Sequence, residues 1–175
     1  VKESLLDLTQ ESVQVTVPLS YYQDEAPSDV LDDNQKASGY LDAEINADSI
    51  VYTIKTTFYP SVVEILYEYY DTLANEYEGK NGIELISSNR RGDLFTVTVE
   101  KNGYRANVHR EMMTDLYYNA AIYQCYLGVA NPSVAFQMKY LHEQFPFVNY
   151  QYPNSIGKDL NAFATEKETT ETEEA

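Results

Sequence analysis

The sequence predicts an α+β fold of two layers, in which two long helices cover one face of a mainly antiparallel sheet. Short segments of alternating polar and apolar residues indicate strands, and two long tyrosine-rich segments have the apolar period of helices. A β-β-α arrangement also occurs twice, over residues 40–77 and 82–127, in a register that aligns Asp48 with Asp93. The same alignment places Ile50 on Phe95, Tyr52 on Val97, Ile54 on Val99, Tyr59 on Tyr104 and Val63 on Val108.

The first predicted strand precedes this repeat. Val13, Val15 and Val17 alternate with polar residues, which is typical of a half-buried strand, and Pro18 ends it. After an acidic, irregular stretch, residues 28–36 predict a short helix capped by Ser28.

The first β-β-α unit begins with a hairpin. Residues 40–45 and 49–57 pair across the turn 46–48, where Asn and Asp favour a tight turn. Pro60 lies at a first helical position, and Gly79 ends the helix that follows. Its apolar stripe consists of Val62, Leu66, Tyr69 and Leu73, with Val63, Tyr67, Tyr70, Ala74 and Tyr77 beside it.

The second unit repeats the pattern with a longer helix. Residues 83–88 pair with residues 94–100, and after Gly103 the helix runs to Leu127. The alternation of residues 134–141 predicts a last strand, with a helix as the alternative. One face of the long helix carries Val108, Met112, Leu116, Ala120, Tyr123 and Leu127.

The order of these elements over residues 49–141 is β-α-β-β-α-β, as in a ferredoxin-like unit. The alternation predicts one face covered by helices and one wet face. The covered face collects Ile50, Tyr52, Ile54, Phe95, Val97, Val99, Val134, Phe136 and Met138, and the wet face Thr53, Lys55, Thr57, Thr96, Thr98, Glu100, Gln137 and Lys139. Because the wet face is rich in threonine, it does not resemble a base-stacking platform.

Length and composition predict a single α+β domain over residues 11–160, an N-terminal tether over residues 1–10 and an acidic flexible tail over residues 161–175. The formal net charge is −16 and the 12 basic residues are scattered, which argues strongly against nucleic-acid binding, because phosphate contacts need clustered Lys and Arg. The same charge disfavours adsorption to an anionic membrane surface. No apolar run is long enough to span a bilayer.

The residues suited to chemistry do not form a recognisable catalytic or metal site. The single cysteine, Cys125, lies on the apolar side of a helix and is interpreted as a small buried hydrophobe. His109 is interpreted as part of a solvated helix start, and His142 is too distant in sequence to suggest a zinc site with it. The charged neighbours of His109 are Arg105, Arg110, Glu111 and Asp115, and an acidic loop holds Asp24, Glu25, Asp29, Asp32 and Asp33 without the spacing of a calcium loop. We therefore predict no enzyme activity, no cofactor and no metal.

Two features are candidates for interaction. The tripeptide Arg91, Gly92 and Asp93 lies at a hairpin tip, where an integrin-binding motif would be displayed, although Gly-Asp is also an ordinary turn sequence. The tyrosines of the two helices would line an aromatic groove for a glycan or peptide, or else pack in the core and at its rim. Those singled out as candidates are Tyr67, Tyr70, Tyr117 and Tyr118.

Three segments together carry a resemblance to a known group. VTVP at residues 15–18, FTVTV at residues 95–99 and AAIYQCYLGV at residues 120–129 resemble extracytoplasmic lipoproteins of Gram-positive Firmicutes, a group without an assigned activity. The resemblance implies an extracytoplasmic, cell-surface location, lipid-anchored or secreted, and brings no catalytic residue. Because the sequence begins at Val1, we expect an upstream segment, and the group's pattern makes this a signal peptide ending in a lipidation cysteine.

The sequence and the resemblance together predict a noncatalytic cell-envelope lipoprotein domain. Its role would be that of a binding or interaction module for an unknown protein, peptide or glycan, with membrane attachment only through the lipid. One alternative is a host-adhesion protein that uses the Arg91 to Asp93 turn or exposed tyrosines. The other alternative is an enzyme with an unrecognised site, which would need a histidine and a carboxylate in a cleft.

Overall fold

The computed structural model describes residues 2–23, 25–30, 39–102 and 106–156, and it confirms the α+β fold. Two long helices, α1 (Tyr59–Glu76) and α2 (Ala106–Tyr126), accompany open, mainly antiparallel sheets. The chain divides into two compact units, Val1–Tyr69 with Tyr118–Pro132, and Tyr70–Tyr117 with Ser133–Ala175. Each long helix therefore contributes residues to both units.

The first unit contains a three-stranded sheet made of β1 (Ser12–Pro18), β2 (Tyr40–Ile45) and β3 (Ser49–Lys55). The strand order is β1-β3-β2, and both pairings are antiparallel. The predicted alternation is confirmed, since the inward side chains of β1 and β3 are buried. These are Val13, Val15, Val17, Ile50, Tyr52 and Ile54.

The N-terminal segment is in contact with this unit. The Leu5 amide donates to the Leu127 carbonyl (2.8 Å), and the Ser4 hydroxyl lies 2.8 Å from the Tyr59 hydroxyl. A helical turn over residues 27–30 overlaps the start of the predicted short helix, and residues 31–36 of that helix lie outside the described residues. The predicted tail, residues 161–175, also lies outside them.

The second unit contains a four-stranded sheet made of β4 (Ile83–Ser88), β5 (Leu94–Val99), β6 (Val134–Tyr140) and β7 (Val148–Tyr152). The order is β4-β5-β6-β7. β5 and β6 pair in parallel, as the α2 crossover between them permits, and the other pairings are antiparallel. The last predicted strand is thus confirmed as a strand, and the helical alternative for that segment is wrong.

The predicted β-α-β-β-α-β order of elements is confirmed, but three features differ from the expected sheet. The strands form two sheets, because β3 pairs with β1 and β2 while β4 pairs only with β5. β7 was not predicted, although Tyr150 and Tyr152 alternate with exposed residues. Two side chains differ in burial from the expectation: Thr98, on the face predicted to be wet, is buried, and Tyr69, in the predicted apolar stripe, is 60% exposed.

Candidate interaction site

A groove of about 540 Å³ opens at one end of the three-stranded sheet in the first unit. Two leucines, Leu8 and Leu41, form apolar parts of its lining, and Glu11 and Lys55 bring opposite charges to it. Hydroxyl and amide groups of Gln10, Ser12, Thr56 and Thr57 complete the lining. The volume lies in the range of about 300 to 1,000 Å³ that is usual for ligand sites.

Local irregularities at the strand ends build this groove. The register of β2 shifts between Tyr40 and Asp42, and the intervening Leu41 is 54% exposed. Beyond the start of β1, the Thr56 amide donates to the Glu11 carbonyl (3.0 Å), and the Thr56 hydroxyl donates to the Gln10 carbonyl. The groove therefore combines a bulged edge strand with a ladder that continues beyond the start of β1.

The sequence prediction missed the groove residues. The available signal was the pair Tyr40 and Leu41, two adjacent apolar residues in a strand where one of them has to leave the buried face.

The Arg91, Gly92 and Asp93 turn joins β4 to β5, and Asn89 organises it. The Asn89 side-chain carbonyl accepts the amides of Asp93 (3.1 Å) and Leu94 (3.2 Å), and its amide group donates to the Asp93 carboxylate. Gly92 is buried and has φ of +72°, which suits glycine. Arg91 is exposed, whereas the Asp93 carboxylate accepts a hydrogen bond from Asn89 inside the turn.

The four candidate tyrosines do not share one environment. In the second unit, Tyr70 and Tyr117 are buried, with exposures of 0% and 2%. The Tyr70 ring meets Phe95 edge-on at 5.9 Å and its hydroxyl donates to the Asn89 carbonyl (3.0 Å), while the Tyr117 ring lies 5.7 Å from that of Tyr152. Core packing, one of the two predicted roles, is therefore the role of Tyr70 and Tyr117.

The other two candidate tyrosines are half-buried in the first unit. Tyr67 lies against Tyr123, with ring centroids 6.0 Å apart, and Tyr118 lies against Tyr21 at 6.3 Å. These contacts place both rings at the rim of the core, where one side remains accessible.

A cluster of tyrosine hydroxyls that the sequence analysis did not single out lies in the first unit. The hydroxyls of Tyr22 and Tyr52 are 3.2 Å apart, and those of Tyr40 and Tyr126 are 2.8 Å apart. Burial raises the pKa of Tyr40 to about 12 and also raises the pKa of Tyr22, Tyr52 and Tyr126. These phenols are therefore neutral near pH 7 and serve as hydrogen-bonding core residues.

The two histidines lie in very different places. His109 is fully buried in the second unit, and its Nε2 donates to the Asn81 carbonyl (3.2 Å), so the prediction of a solvated helix start is wrong for this residue. The backbone carbonyl supplies a buried acceptor for one of the two ring nitrogens. His142 is exposed on the turn after β6 and has φ of +68°.

The carboxylate of Asp115, predicted to lie near His109 on the helix, accepts a hydrogen bond from the Tyr77 hydroxyl (2.8 Å). Burial, followed by this bond to a carboxylate, raises the pKa of Tyr77. Arg105 lies outside the described residues.

Cys125 is buried, as predicted, and burial raises the pKa of its thiol to about 12. Within the described part of the chain, no group of three histidine, cysteine or carboxylate side chains is arranged to hold a metal ion. The acidic residues Asp24, Asp32 and Asp33 lie outside that part.

Comparison with known proteins gives no relative: no protein-family model, no curated protein and no solved structure matches this chain. Among the described residues, no helix is both long and apolar enough to cross a membrane.

Proposed function

We propose that the chain is a noncatalytic domain of a cell-envelope lipoprotein and that it binds a peptide or glycan at the groove beside β1. The resemblance of three of its segments to Firmicutes lipoproteins supports the location outside the membrane. The strongly negative charge and the scattered basic residues agree with a partner other than nucleic acid.

The groove is the observation that carries the binding role. It offers an apolar surface from Leu8 and Leu41, a cation from Lys55, an anion from Glu11 and several hydroxyl groups within one concave surface. Sites for organic ligands commonly combine such apolar contact with a few polar groups that fix orientation. Peptides and glycans both present apolar surface together with donors and acceptors.

A pair of matched variants tests the groove. Leu41 and Leu85 are 54% and 53% exposed on edge strands, each beside a register shift, but only Leu41 lines the groove. We expect amide NMR shifts of groove residues on titration with a short alternating peptide or a chito-oligosaccharide, and at least about tenfold weaker binding in Leu41→Asp. Leu85→Asp should bind as the parent does. Equal binding by both variants, or shifts confined to other surfaces, would contradict a ligand site at this groove.

Location has its own experiment. The complete gene, with its upstream region, should be expressed in a Gram-positive host fed an alkyne-tagged fatty acid. We expect the tag on the protein and its loss when the expected upstream cysteine is replaced by alanine. A tag that persists after this replacement, or an untagged protein in the cytosolic fraction, would contradict the lipoprotein assignment.

Adhesion is the second candidate, because Arg91 is exposed at a hairpin tip. The hydrogen bond from the Asn89 side-chain amide, which holds the Asp93 carboxylate inside the turn, makes adhesion the weaker candidate. Cell attachment to the immobilised protein that is abolished by Asp93→Glu, with the fold retained, would favour adhesion over the groove.

A further inference from the structure

The two sheets have four edge strands. β1 differs from the other three in that no side chain among the described residues accepts its outward amides. Unpaired amides on an exposed edge readily pair with another strand, so proteins cover or distort such edges. At β2, β4 and β7 this protection is visible among the described residues. At β1 it is not.

The three protected edges each have a side chain that accepts an outward amide. On β2 the Ala43 amide donates to the Asp42 carboxylate (2.9 Å), and on β4 the Ile86 amide donates to Glu78 (3.0 Å). On β7 the Gln151 amide donates to the Ser155 hydroxyl (3.2 Å), while the Ser155 amide donates back to the Gln151 carbonyl (2.6 Å). β2 and β4 also contain register shifts.

β1 has seven residues and pairs with β3 in an uninterrupted register. The Thr56 amide bonds to the Glu11 carbonyl and the Leu19 amide to the Asp48 carbonyl, so the alternation of an antiparallel ladder turns the backbone of Val13, Val15 and Val17 toward β3. The amides of Ser12, Gln14 and Thr16 therefore face outward, and none of them has a hydrogen-bond partner among the described residues. The side chains of Gln14 and Thr16 are exposed.

We propose that this edge pairs with β1 of a second copy of the chain, antiparallel about a two-fold axis at Gln14. In this register Ser12 faces Thr16 of the second copy and Gln14 faces its own counterpart, which gives about six inter-strand hydrogen bonds. Val13 faces Val15 on the other side of the sheet. A shift of the register by two residues toward the C-terminus would place Pro18, which has no amide hydrogen, opposite Gln14.

Self-complementarity is the reason for choosing a second copy as the occupant. Over residues 12–16, every cross-strand pair in this register is uncharged: Ser with Thr, Gln with Gln and Val with Val. The net charge of −16 on each copy opposes association at long range, and this repulsion is screened as salt is added. Because two paired strands bury less than the roughly 1,200 Å² of a stable interface, we expect a dissociation constant on the order of 100 µM.

Cysteine substitution tests the register directly. Only residue 14 faces itself across the axis, at about the 5.5 Å Cα separation of a hydrogen-bonded pair, which a disulfide can bridge. In a Cys125→Ala background, we expect Gln14→Cys to form disulfide-linked dimers at least about tenfold faster than Thr16→Cys. In the Thr16→Cys dimer each new thiol would face Ser12 of the other copy, so the two thiols would not lie opposite each other. Equal rates for the two variants would overturn the proposal.

Sedimentation of the intact chain supplies an independent measurement. We expect a dimer whose fraction grows with concentration and increases between about 0.1 and 1 M salt. Gln14→Lys should abolish it, because two lysines would then lie opposite each other, while leaving the circular dichroism spectrum unchanged. A chain that stays monomeric up to about 1 mM, a salt dependence of opposite sign, or a dimer that persists in Gln14→Lys would overturn the proposal. The proposal would also be overturned if the chain bound a synthetic peptide of residues 12–18 but stayed monomeric, because the β1 edge would then pair with extended peptides and not with a second copy.

Discussion

Replacement of Tyr59 by phenylalanine tests how the first unit is held together. The Tyr59 side chain is fully buried, and its hydroxyl donates to the Tyr126 carbonyl at the end of α2 and lies 2.8 Å from the Ser4 hydroxyl. Carbonyls in the last turn of a helix have no partner within the helix, so the phenol satisfies one of them. Loss of the hydroxyl leaves this acceptor buried, at a cost of about 2 kcal/mol.

Urea unfolding followed by circular dichroism measures this cost. A thermal scan gives a second measurement. For a chain of this length, a loss of 1 kcal/mol in the free energy of unfolding lowers Tm by about 2–4 °C, so Tm should fall by about 4–8 °C. Ser4→Ala should cost about 0.5–1 kcal/mol, because this hydroxyl is only partly buried. In the Tyr59→Phe background its effect should shrink to the part that comes from the Leu6 amide, which also donates to the Ser4 hydroxyl (3.2 Å). Tyr69→Phe, at a 60% exposed position on the same helix, is the control and should change stability by less than about 0.5 kcal/mol. A Tyr59→Phe variant as stable as this control would refute the reasoning.

Three further predictions concern single positions. Gly39→Ala should lower the free energy of unfolding in urea by about 2–4 kcal/mol, and Gly79→Ala should lower it by about 1 kcal/mol. Both glycines have positive φ, but only at Gly39 would an added Cβ lie 2.5 Å from the Cβ of Phe58. Equal losses would contradict the steric argument. Asn89→Ala should cost about 1–2 kcal/mol, because two turn amides lose their acceptor; an unchanged urea midpoint would contradict this. In an absorbance titration at 295 nm, Tyr40 should ionise near pH 12 and not near its ordinary pKa of 10.0. Since its folded pKa is raised, its contribution to stability is complete below about pH 10 and is lost toward pH 12, and ionisation of every tyrosine near pH 10 in the folded protein would refute this.

Local pattern was sufficient to predict most of the secondary structure. The valines of β1 and the alternation in β3 predicted which side chains are buried, because a strand places successive residues on opposite faces. Pro60 and Gly79 marked the start and end of α1 to within a few residues, since one suits a first helical position and the other a positive φ. These features depend only on residues close in sequence.

The features that were missed depend on contacts between distant residues. Alternation of polar and apolar residues predicts a strand but does not determine which other strand pairs with it. The separation of β3 and β4 into different sheets was therefore not predictable from the alternation. The burial of His109 depends on the Asn81 carbonyl, which lies outside its helix. The groove depends on the register shift that turns Leu41 outward, and the helical period of α1 did not identify Tyr69 as exposed.

The abundance of tyrosine, at 17 residues with no tryptophan, follows from the way the described rings are used. A buried tyrosine fills space as phenylalanine does but also carries a hydrogen-bond donor. The hydroxyls of Tyr59 and Tyr70 donate to backbone carbonyls, and that of Tyr77 donates to a carboxylate. Phenylalanine at these positions would keep the packing and leave the acceptors unsatisfied. A high tyrosine content therefore does not by itself indicate a ligand groove. Among the described residues, the groove beside Leu41 and the outward amides of the β1 edge are instead the surfaces at which we propose that a partner binds.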